Sequence, residues 1–373
     1  MSDEAYMARA LRLAALGRGW TSPNPMVGAV IASGTHVLAE GYHHRYGDLH
    51  AERDALKNAM RKGLDVRGAT MYVTLEPCCH LGRQPPCTDA IIEAGITRVV
   101  IGSSDPNPKV AGQGIGILRE AGIEVSEGVL ADECLALNEA FLTYIQTGRP
   151  LVTMKYAMTI DGKIACVTGE SRWITGESAR RHVHEQRHAA AAIMVGVGTI
   201  ITDNPQLTSR IEGGNDPVRI VCDTHLRTPL DAHVVTSARR VPTLIATCES
   251  DPDKHRPFTA AGCQIATLPN RNGHVDLVSL VYELGNRNLD SLIIEGGATL
   301  NWSALQAGIV DKVQAYIAPK IFGGMLAKGP VGGPGFTTPA DAIELTDVRL
   351  TRIGDDHLIE GRILPCSRES SKR

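Results

Sequence analysis

Aromatic residues are scarce, 4% of a 373-residue chain, and no charge dominates: 38 Lys and Arg face 41 Asp and Glu, a formal net charge of -3. The balance holds locally, with 14 basic and 17 acidic residues in positions 1–150 and 24 of each in the remainder. A protein that tracks a phosphate backbone needs excess cations, and one that holds single strands needs aromatic faces for stacking. Neither is present in bulk, so nucleic acid is not expected as a partner. Long apolar runs are also lacking. The uncharged stretch Ala189–Thr202 is fourteen residues, short of the roughly 18–20 that span a bilayer as a helix. The opening Met1-Ser2-Asp3-Glu4 lacks the cationic and apolar blocks of an export signal. Nine cysteines are too few to staple a chain of this length. No fixed-period repeat or low-complexity block occurs. With 43% hydrophobic residues, the chain can bury sizeable cores. A cytoplasmic protein of two to three domains, with no membrane partner, is expected.

The pattern along the chain is α/β. Apolar residues recur at helical spacing over 4–17, and strands are expected at 27–32 and 36–41 around Ser33-Gly34. A helix is expected from His50 to Met60, then a strand over 70–76 that Pro77 breaks. Another helix follows Cys87, then a strand at 98–102, and a helix, a strand and a helix lead to Thr147. Gly148-Arg149-Pro150 is a helix stop that runs directly into an apolar strand, so the domain boundary is placed there. The domains are therefore read as 1–147 and 151–366, with a polar tail at 367–373. Strands of the second half are expected at 151–156, 191–197, 218–223, 243–247, 291–295 and 312–317.

The strongest chemical signal is His50-Ala51-Glu52 with Pro77-Cys78 and Cys87. A catalytic zinc takes three protein ligands and leaves a fourth position for water, and one imidazole with two thiolates would serve. His50 and Cys87 both stand where helices open, and backbone N–H groups there favour a thiolate. Glu52 separates a working site from a structural one, because a closed four-ligand shell has no use for an adjacent carboxylate. A non-ligating Glu beside such a site passes protons in the zinc deaminases. The second cysteine follows the first by nine positions, where the generic pattern has three, and Cys79 or His80 are alternative ligands. A nucleic-acid-editing deaminase and a purely structural zinc protein are the competing readings.

The second half offers glycines at strand-to-helix turns: Glu295-Gly296-Gly297-Ala298 after an apolar strand, and Gly196-Val197-Gly198-Thr199. Such turns let backbone N–H groups approach a phosphate. Gly112-x-Gly114-x-Gly116 does not open a βαβ unit and is not expected to bind a dinucleotide. His182, His184 and His188 sit among Arg180, Arg181, Glu185 and Arg187, which reads as a polar helix face rather than a metal site.

Taken together, the stretch Thr74-Leu75-Glu76-Pro77-Cys78-Cys79-His80-Leu81-Gly82-Arg83-Gln84-Pro85-Pro86-Cys87 resembles the zinc loop of the bifunctional deaminase–reductases of riboflavin biosynthesis. The eight-residue insert between the cysteines is the norm in that family. Pro23-Asn24-Pro25-Met26-Val27-Gly28, Gly41-Tyr42-His43 and the motif from Asp105 to Gly114 are similar too. Cys79 and Gln84 stand where the family more often has Ser and Thr. In the second half the similar segments are 154–165, 169–175, 196–199, 203–208, 295–297 and 318–320, and Met158 replaces a usually small residue.

The resemblance implies a cytidine-deaminase-like three-layer α/β/α domain followed by a dihydrofolate-reductase-like α/β domain. It implies zinc on His50, Cys78 and Cys87, with Glu52 as proton carrier and Asn24 and His43 holding the pyrimidine. The implied substrate is a 2,5-diamino-6-(phosphoribosylamino)pyrimidinone that loses its C2 amine. NADPH then reduces the ribosyl group of the product to ribityl. Ala157, Trp173, Thr199, Asp203, Thr224, Gly297, Ala298, Thr299, Leu300, Asn301, Trp302 and Ser303 would line the NADPH site. Ser171, Arg187, Leu207, Arg210 and Glu295 would line the substrate site, with Arg187 and Arg210 suited to grip the phosphate. Lys155 would act on the opened sugar or hold it, and Arg227 is a suitable partner for the cofactor's 2′-phosphate. A homo-oligomer built through the reductase domain is expected.

Overall fold

The structure, a computed structural model, describes residues 2–81, 84–107, 110 and 112–364. Its chain divides into two units, 1–148 and 149–373. Gly82 and Arg83 of the zinc-loop insert, Pro108, Lys109 and Ala111 of the Asp105 motif, and the expected tail at 367–373 lie outside the described residues.

Unit 1 opens with α1 (Asp3–Ala14), whose first turn is capped by the Ser2 hydroxyl accepting from the Ala5 N–H. The hairpin β1 (Gly28–Ser33) and β2 (His36–Tyr42) follows, then α2 (Ala51–Arg61), β3 (Thr70–Leu75), α3 (Cys87–Glu93) and β4 (Arg98–Ser103). The unit closes with α4 (Gln113–Glu120), β5 (Glu124–Glu127), α5 (Ala131–Leu137) and α6 (Glu139–Thr147). The strands form one sheet in the order β2-β1-β3-β4-β5. β1 is antiparallel to both neighbours, and β3, β4 and β5 are parallel.

Successive residues of a strand point to opposite faces, and here both faces are covered. Ile31, Met71, Val73, Val99 and Ile101 pack against Ala51, Ala55 and Ala59 of α2, Ile91 of α3 and Leu118 of α4. Val30, Tyr72 and Val100 pack on the other side against Tyr6, Met7 and Ala10 of α1 and Cys134 of α5. The result is a helix–sheet–helix sandwich. The alanine face of α2 comes so close to β2 that a Cβ at Gly41 would collide with the Ala55 backbone.

The single last helix expected in this half is two, α5 and α6. They part at Asn138, whose side chain accepts from the Met26 N–H at 2.8 Å and donates to the Met26 carbonyl at 2.9 Å. One amide can satisfy both backbone groups of a distant residue, which ties the Pro23–Met26 turn to this junction. Gly148, with φ 71, then terminates α6.

Unit 2 begins with β6 (Leu151–Thr159), α7 (Glu177–Ala189), β7 (Ala192–Gly196), α8 (Val197–Asp203), β8 (Val218–Cys222), α9 (His233–Thr236) and β9 (Thr243–Thr247). It continues through α10 (Pro252–Ala261), β10 (Gln264–Thr267), the short ladder β11 (Asn270–Arg271) and β12 (His274–Val275), and α11 (Leu277–Asn286). β13 (Ser291–Ile294), α12 (Ala298–Gln306), β14 (Lys312–Ala318), β15 (Leu345–Ile353) and β16 (Asp356–Ile363) complete it.

Nine strands form one sheet in the order β10-β9-β8-β7-β13-β6-β14-β16-β15. It is parallel from β10 to β14, and β16 and β15 are antiparallel additions. Apolar residues fill both faces: Met194, Ile220, Leu244 and Leu292 on one, Ile193, Val195, Val221 and Ile245 on the other. Because β6, β7, β8 and β13 run the same way, their carboxyl ends meet along one edge of the sheet. Open α/β sheets bind ligands there. All six expected strands are present. β10, β15, β16 and the short ladder were not expected; β15 is an edge strand with most of its residues exposed, so it carries little apolar signature.

Candidate active sites

In unit 1 the chain turns sharply at the carboxyl end of β3, and the Glu76 N–H extends the ladder to the Ser103 carbonyl at 2.9 Å. Cys78 follows. The Cys78 carbonyl accepts from the N–H groups of both Cys87 and Thr88 (2.9 and 3.3 Å), so the ends of the eight-residue insert are closed on each other. Arg53 of α2 donates to the carbonyls of Pro85 and Pro86 and fixes the outgoing limb. Sequence distance between the cysteines is thereby irrelevant to their spatial distance.

His50 is the cap residue of α2, with its side chain not used for capping. Its Nδ1 lies 3.4 Å from Cys78 Sγ and 3.5 Å from Cys87 Sγ. The ligand atoms of these three residues fall within 4.8 Å of one another, and theirs is the metal-competent cluster found among the described residues. Cys79 and His80 do not join it. The donor set fits zinc: one imidazole and two sulfurs, the three protein ligands a catalytic zinc takes. The Cys78 thiol is pulled down to about 4, first by the Cys87 thiol that hydrogen-bonds to it. The Cys87 thiol is pushed up, by Cys78 and by burial. The pair thus yields one thiolate easily and the second reluctantly, and a dication between them is what stabilises both.

Glu52, on the first turn of α2, is 3% exposed. Burial, with the Cys78 charge adding to it, pushes its carboxyl up to about 7, and its carboxylate is hydrogen-bonded to the Cys87 thiol. It therefore stands at the sulfur ligands without belonging to the three-ligand cluster. His43 is 2% exposed, not a surface residue like its neighbour His44. His43 Nδ1 lies 2.9 Å from the Leu49 carbonyl and Nε2 lies 3.2 Å from Asn24 Nδ2. Burial lowers its pKa. A neutral ring with the proton on Nδ1 satisfies both contacts and leaves Asn24 Oδ1 available as an acceptor. The His43 ring meets the His50 ring edge-on, 5.5 Å between centroids.

Sequence reasoning missed Glu76. Its buried carboxylate accepts from the N–H groups of Asp105, Gly112 and Ile115 at 3.3, 3.1 and 3.3 Å. This fills the N-terminus of α4 with a protein carboxylate, so the Gly112–Gly116 stretch has no phosphate cradle to offer. Gly114 lies against the Pro77 carbonyl so closely that a Cβ would collide with it. The spacing of Glu76 before Pro77-Cys78 was visible, but its partners are distant in sequence.

In unit 2, Glu295 follows β13 directly. Arg187 of α7 grips it with both arms of its fork, Nε to Oε1 and Nη2 to Oε2, each at 2.8 Å. Arg187 Nη1 donates to the Thr208 carbonyl at 3.0 Å. Arg187 therefore orients Glu295 and the 208 backbone. Lys155 of β6 lies 3.6 Å from Glu295. Burial lowers the Lys155 pKa. Burial also acts to raise Glu295, but the Arg187 and Lys155 charges prevail and hold it down at about 2. Arg210 is exposed and contributes to the field around His184 together with Arg187, Glu295 and Lys155.

Gly296 and Gly297 carry the chain into α12, which has no side-chain cap. Its first N–H groups are therefore left uncapped by side chains of the described residues. A Cβ at Gly297 would sit 3.5 Å from Thr199 Oγ1, so Thr199 and Gly297 line one spot. Those open donors and the bare glycine backbone fit a pyrophosphate-bearing cofactor. Gly297, Ala298, Thr299, Trp302 and Ser303 keep exposed surface. Leu300 and Leu207 have core side chains, and buried Asn301 donates to the Pro330 carbonyl, so these three have mainly backbone to present. Ala157, Ser171 and Thr224 are half-buried, and Asp203 and Trp173 are exposed, with the Arg180 guanidinium 4.7 Å above the Trp173 ring. Of the three histidines of α7, His182 bonds to the Tyr316 hydroxyl at 2.8 Å and His188 to the Asn215 backbone, while buried His184 Nδ1 has no hydrogen-bond partner among the described residues.

Known proteins share both halves. Residues 1–103 match the family described as the cytidine and deoxycytidylate deaminase zinc-binding region, and residues 150–359 match the RibD C-terminal domain. The riboflavin biosynthesis protein RibD of Actinobacillus pleuropneumoniae is 53% identical over 360 residues, which cover 96% of this chain and 95% of that one. RibD of Escherichia coli is 41% identical, covering 96% of this chain and all of that one. The crystal structure of the diaminohydroxyphosphoribosylaminopyrimidine deaminase/5-amino-6-(5-phosphoribosylamino)uracil reductase of Thermotoga maritima superposes with a TM-score of 0.85 at 38% identity, over 97% of this chain and 99% of that one. The two units are thus a cytidine-deaminase-like domain and a RibD-type reductase domain, served by zinc and NADPH. The chain belongs to the RibD family, the bifunctional deaminase–reductases of riboflavin biosynthesis.

Proposed function

We propose that residues 1–147 remove the C2 amine of 2,5-diamino-6-(5-phosphoribosylamino)pyrimidin-4(3H)-one and that residues 151–366 reduce the ribosyl group of the resulting uracil to ribityl. The Thermotoga maritima relative is named for both steps. The observation that carries the reading is the buried Glu52 carboxyl beside a three-ligand His50, Cys78 and Cys87 cluster.

Zinc, when bound, lowers the pKa of water from about 15.7 to about 7. Glu52 takes one proton from the attacking water and delivers it to the ring nitrogen beside C2; it then carries the proton of the added hydroxyl to the C2 amine, which leaves as ammonia as the C2 carbonyl forms. Asn24 Oδ1 receives an N–H of the pyrimidine, and His43 keeps that amide from flipping by accepting from its Nδ2.

In unit 2, NADPH supplies the hydride. Gly297, Ala298 and Thr299 hold its phosphates on backbone N–H groups, with Thr199 opposite. Ala157, Trp173, Asp203, Thr224 and the backbone or side chains of Leu300, Asn301, Trp302 and Ser303 line the remainder. Lys155 and Glu295 hold the opened sugar at the carbon that is reduced, Lys155 as the proton-bearing partner. Ser171 and the Leu207 backbone line the same pocket, and Arg210 binds the phosphate.

No helix of the described residues is long and apolar enough to cross a membrane, and no disulfide forms among the described cysteines. We infer a cytoplasmic enzyme of small-molecule substrates, with neither nucleic acid nor membrane as partner. Exposed Val348 and Leu350 on the edge strand β15 support self-association through unit 2.

Purified protein given the diaminopyrimidinone phosphoribosyl substrate should release ammonia without NADPH, and should oxidise NADPH only after that release. Absence of both reactions rejects the reading.

A further inference from the structure

The segment Asp203–Arg210 joins α8 to the route into β8 and carries three residues in the left-handed backbone region: Asn204, Leu207 and Arg210, with φ of 42, 57 and 54. A residue with a large side chain adopts that region only when its surroundings impose it. Here they do so at nearly every residue. The Asp203 carbonyl accepts from Arg172, and Asn204 Oδ1 accepts from the His233 N–H at 2.8 Å. The Gln206 carbonyl accepts from Arg219 at 3.2 Å and the Thr208 carbonyl from Arg187 at 3.0 Å. Asp216 Oδ1 accepts from both the N–H and the hydroxyl of Ser209, at 2.8 and 2.9 Å. Leu207 itself is sealed in the core.

Arg219 is the unusual member. It is 1% exposed and meets no carboxylate within its hydrogen-bond shell. Its five N–H donors go to five neutral acceptors: Thr243 Oγ1, the Gln206 carbonyl, Ser237 Oγ and the carbonyls of Val234 and Val241. A buried cation is tolerated when every donor is used. A lysine, with three donors, could not replace it. The acceptors come from the 203–210 segment, from α9 and its exit, and from β9, so one guanidinium welds all three.

Resting on the reading of Arg210 as the phosphate ligand, we infer that Arg219 and Asp216 are positioning residues of the reductase that fix the 206–209 backbone and so deliver Arg210 to the substrate's phosphate. Neither touches substrate. Together they convert a surface loop into a rigid reader of the phosphoryl end, and they make the preference for a phosphorylated sugar a property of this loop.

The test compares reduction of the deaminated phosphoribosyl substrate with that of its dephosphorylated counterpart, in the full-length protein. Arg219→Lys and Asp216→Ala should each lower kcat/KM for the phosphorylated substrate at least about tenfold, mainly through KM. The dephosphorylated substrate, the KM for NADPH and ammonia release by unit 1 should change less than about twofold. Asp216 is only half-buried, so its variant keeps the test open where Arg219→Lys fails to fold. Arg210→Ala should abolish the same preference, and adding Asp216→Ala to it should cost nothing more. Preference lost in Arg210→Ala but kept in folded Asp216→Ala overturns the inference alone. An equal fall on both substrates also overturns it, since that marks general damage. Preference kept in Arg210→Ala overturns the reading of Arg210, and the inference with it.

Discussion

Replacing Arg187 by Met removes the partner of a carboxylate that has almost no water. The Glu295 side chain is 8% exposed and Arg187 13%. The two 2.8 Å bonds would vanish and leave only Lys155, at 3.6 Å. The cations hold Glu295 at about 2 against an ordinary 4.5. At roughly 1.4 kcal/mol per tenfold change in proton affinity, that is about 3 kcal/mol. Lys155 moves against this, since burial lowers its own pKa, so the figure is a ceiling for the trio. Breaking a buried pair by removing one partner typically costs about 3–5 kcal/mol. A loss near 3 kcal/mol should lower the Tm of the unit 2 transition by roughly 6–12 °C, at about 2–4 °C per kcal/mol for a domain of this size.

The pH dependence has a definite sign. The folded pKa of Glu295 lies below the unfolded one, so its contribution is complete above about pH 4.5 and fades as pH falls towards 2. The gap in Tm between wild type and Arg187→Met should therefore narrow over that window. Adding Glu295→Leu together with Lys155→Met should recover much of the loss at pH 7, because no orphaned charge is then buried. Calorimetry with both variants decides it. A Tm for Arg187→Met within about 1 °C of wild type at pH 7 would show that Arg187 does not stabilise the buried Glu295 carboxylate.

Cys87→Ser should strip zinc and stop ammonia release, while NADPH oxidation on the deaminated intermediate persists at the wild-type rate; loss of both would mean that the two activities share a site. Gly114→Ala places a methyl group against the Pro77 carbonyl, one residue from Cys78. It should destabilise unit 1 by about 1–3 kcal/mol and weaken zinc retention against a chelator, and an unchanged melt with unchanged retention would contradict the close packing of α4 on the zinc loop.

The parts of this molecule that were legible in the sequence are those written in local pattern. β3 reads as a strand because Met71, Val73 and Leu75 alternate along one side and Pro77 stops it, and the zinc residues stand out because His50, Cys78 and Cys87 are rare types in a known order. The α/β alternation and the break at Gly148-Arg149-Pro150 follow from the same punctuation. What was not legible depends on pairs far apart. Glu76 looks like one more acidic residue until α4 folds its N-terminus onto it. Arg187 reads in the sequence only as a suitable anion ligand, because its partner Glu295 lies 108 positions away until β13 brings it into the fork. Asn138 sits in an apparently continuous helical pattern and divides it only because Met26 lies beside it. β15 escaped notice because a mostly exposed edge strand has no buried face to set a period.

Deamination depends above all on Glu52 as the proton carrier beside the His50, Cys78 and Cys87 cluster. Glu52→Gln keeps the shape and removes the base, so zinc content by elemental analysis and ammonia release should be measured on the same preparation. The expected result is one zinc per chain, ammonia release lower by about 10²–10⁴-fold, and unaltered NADPH oxidation on the deaminated intermediate. Ammonia release within about threefold of wild type, with zinc still bound, would contradict the account.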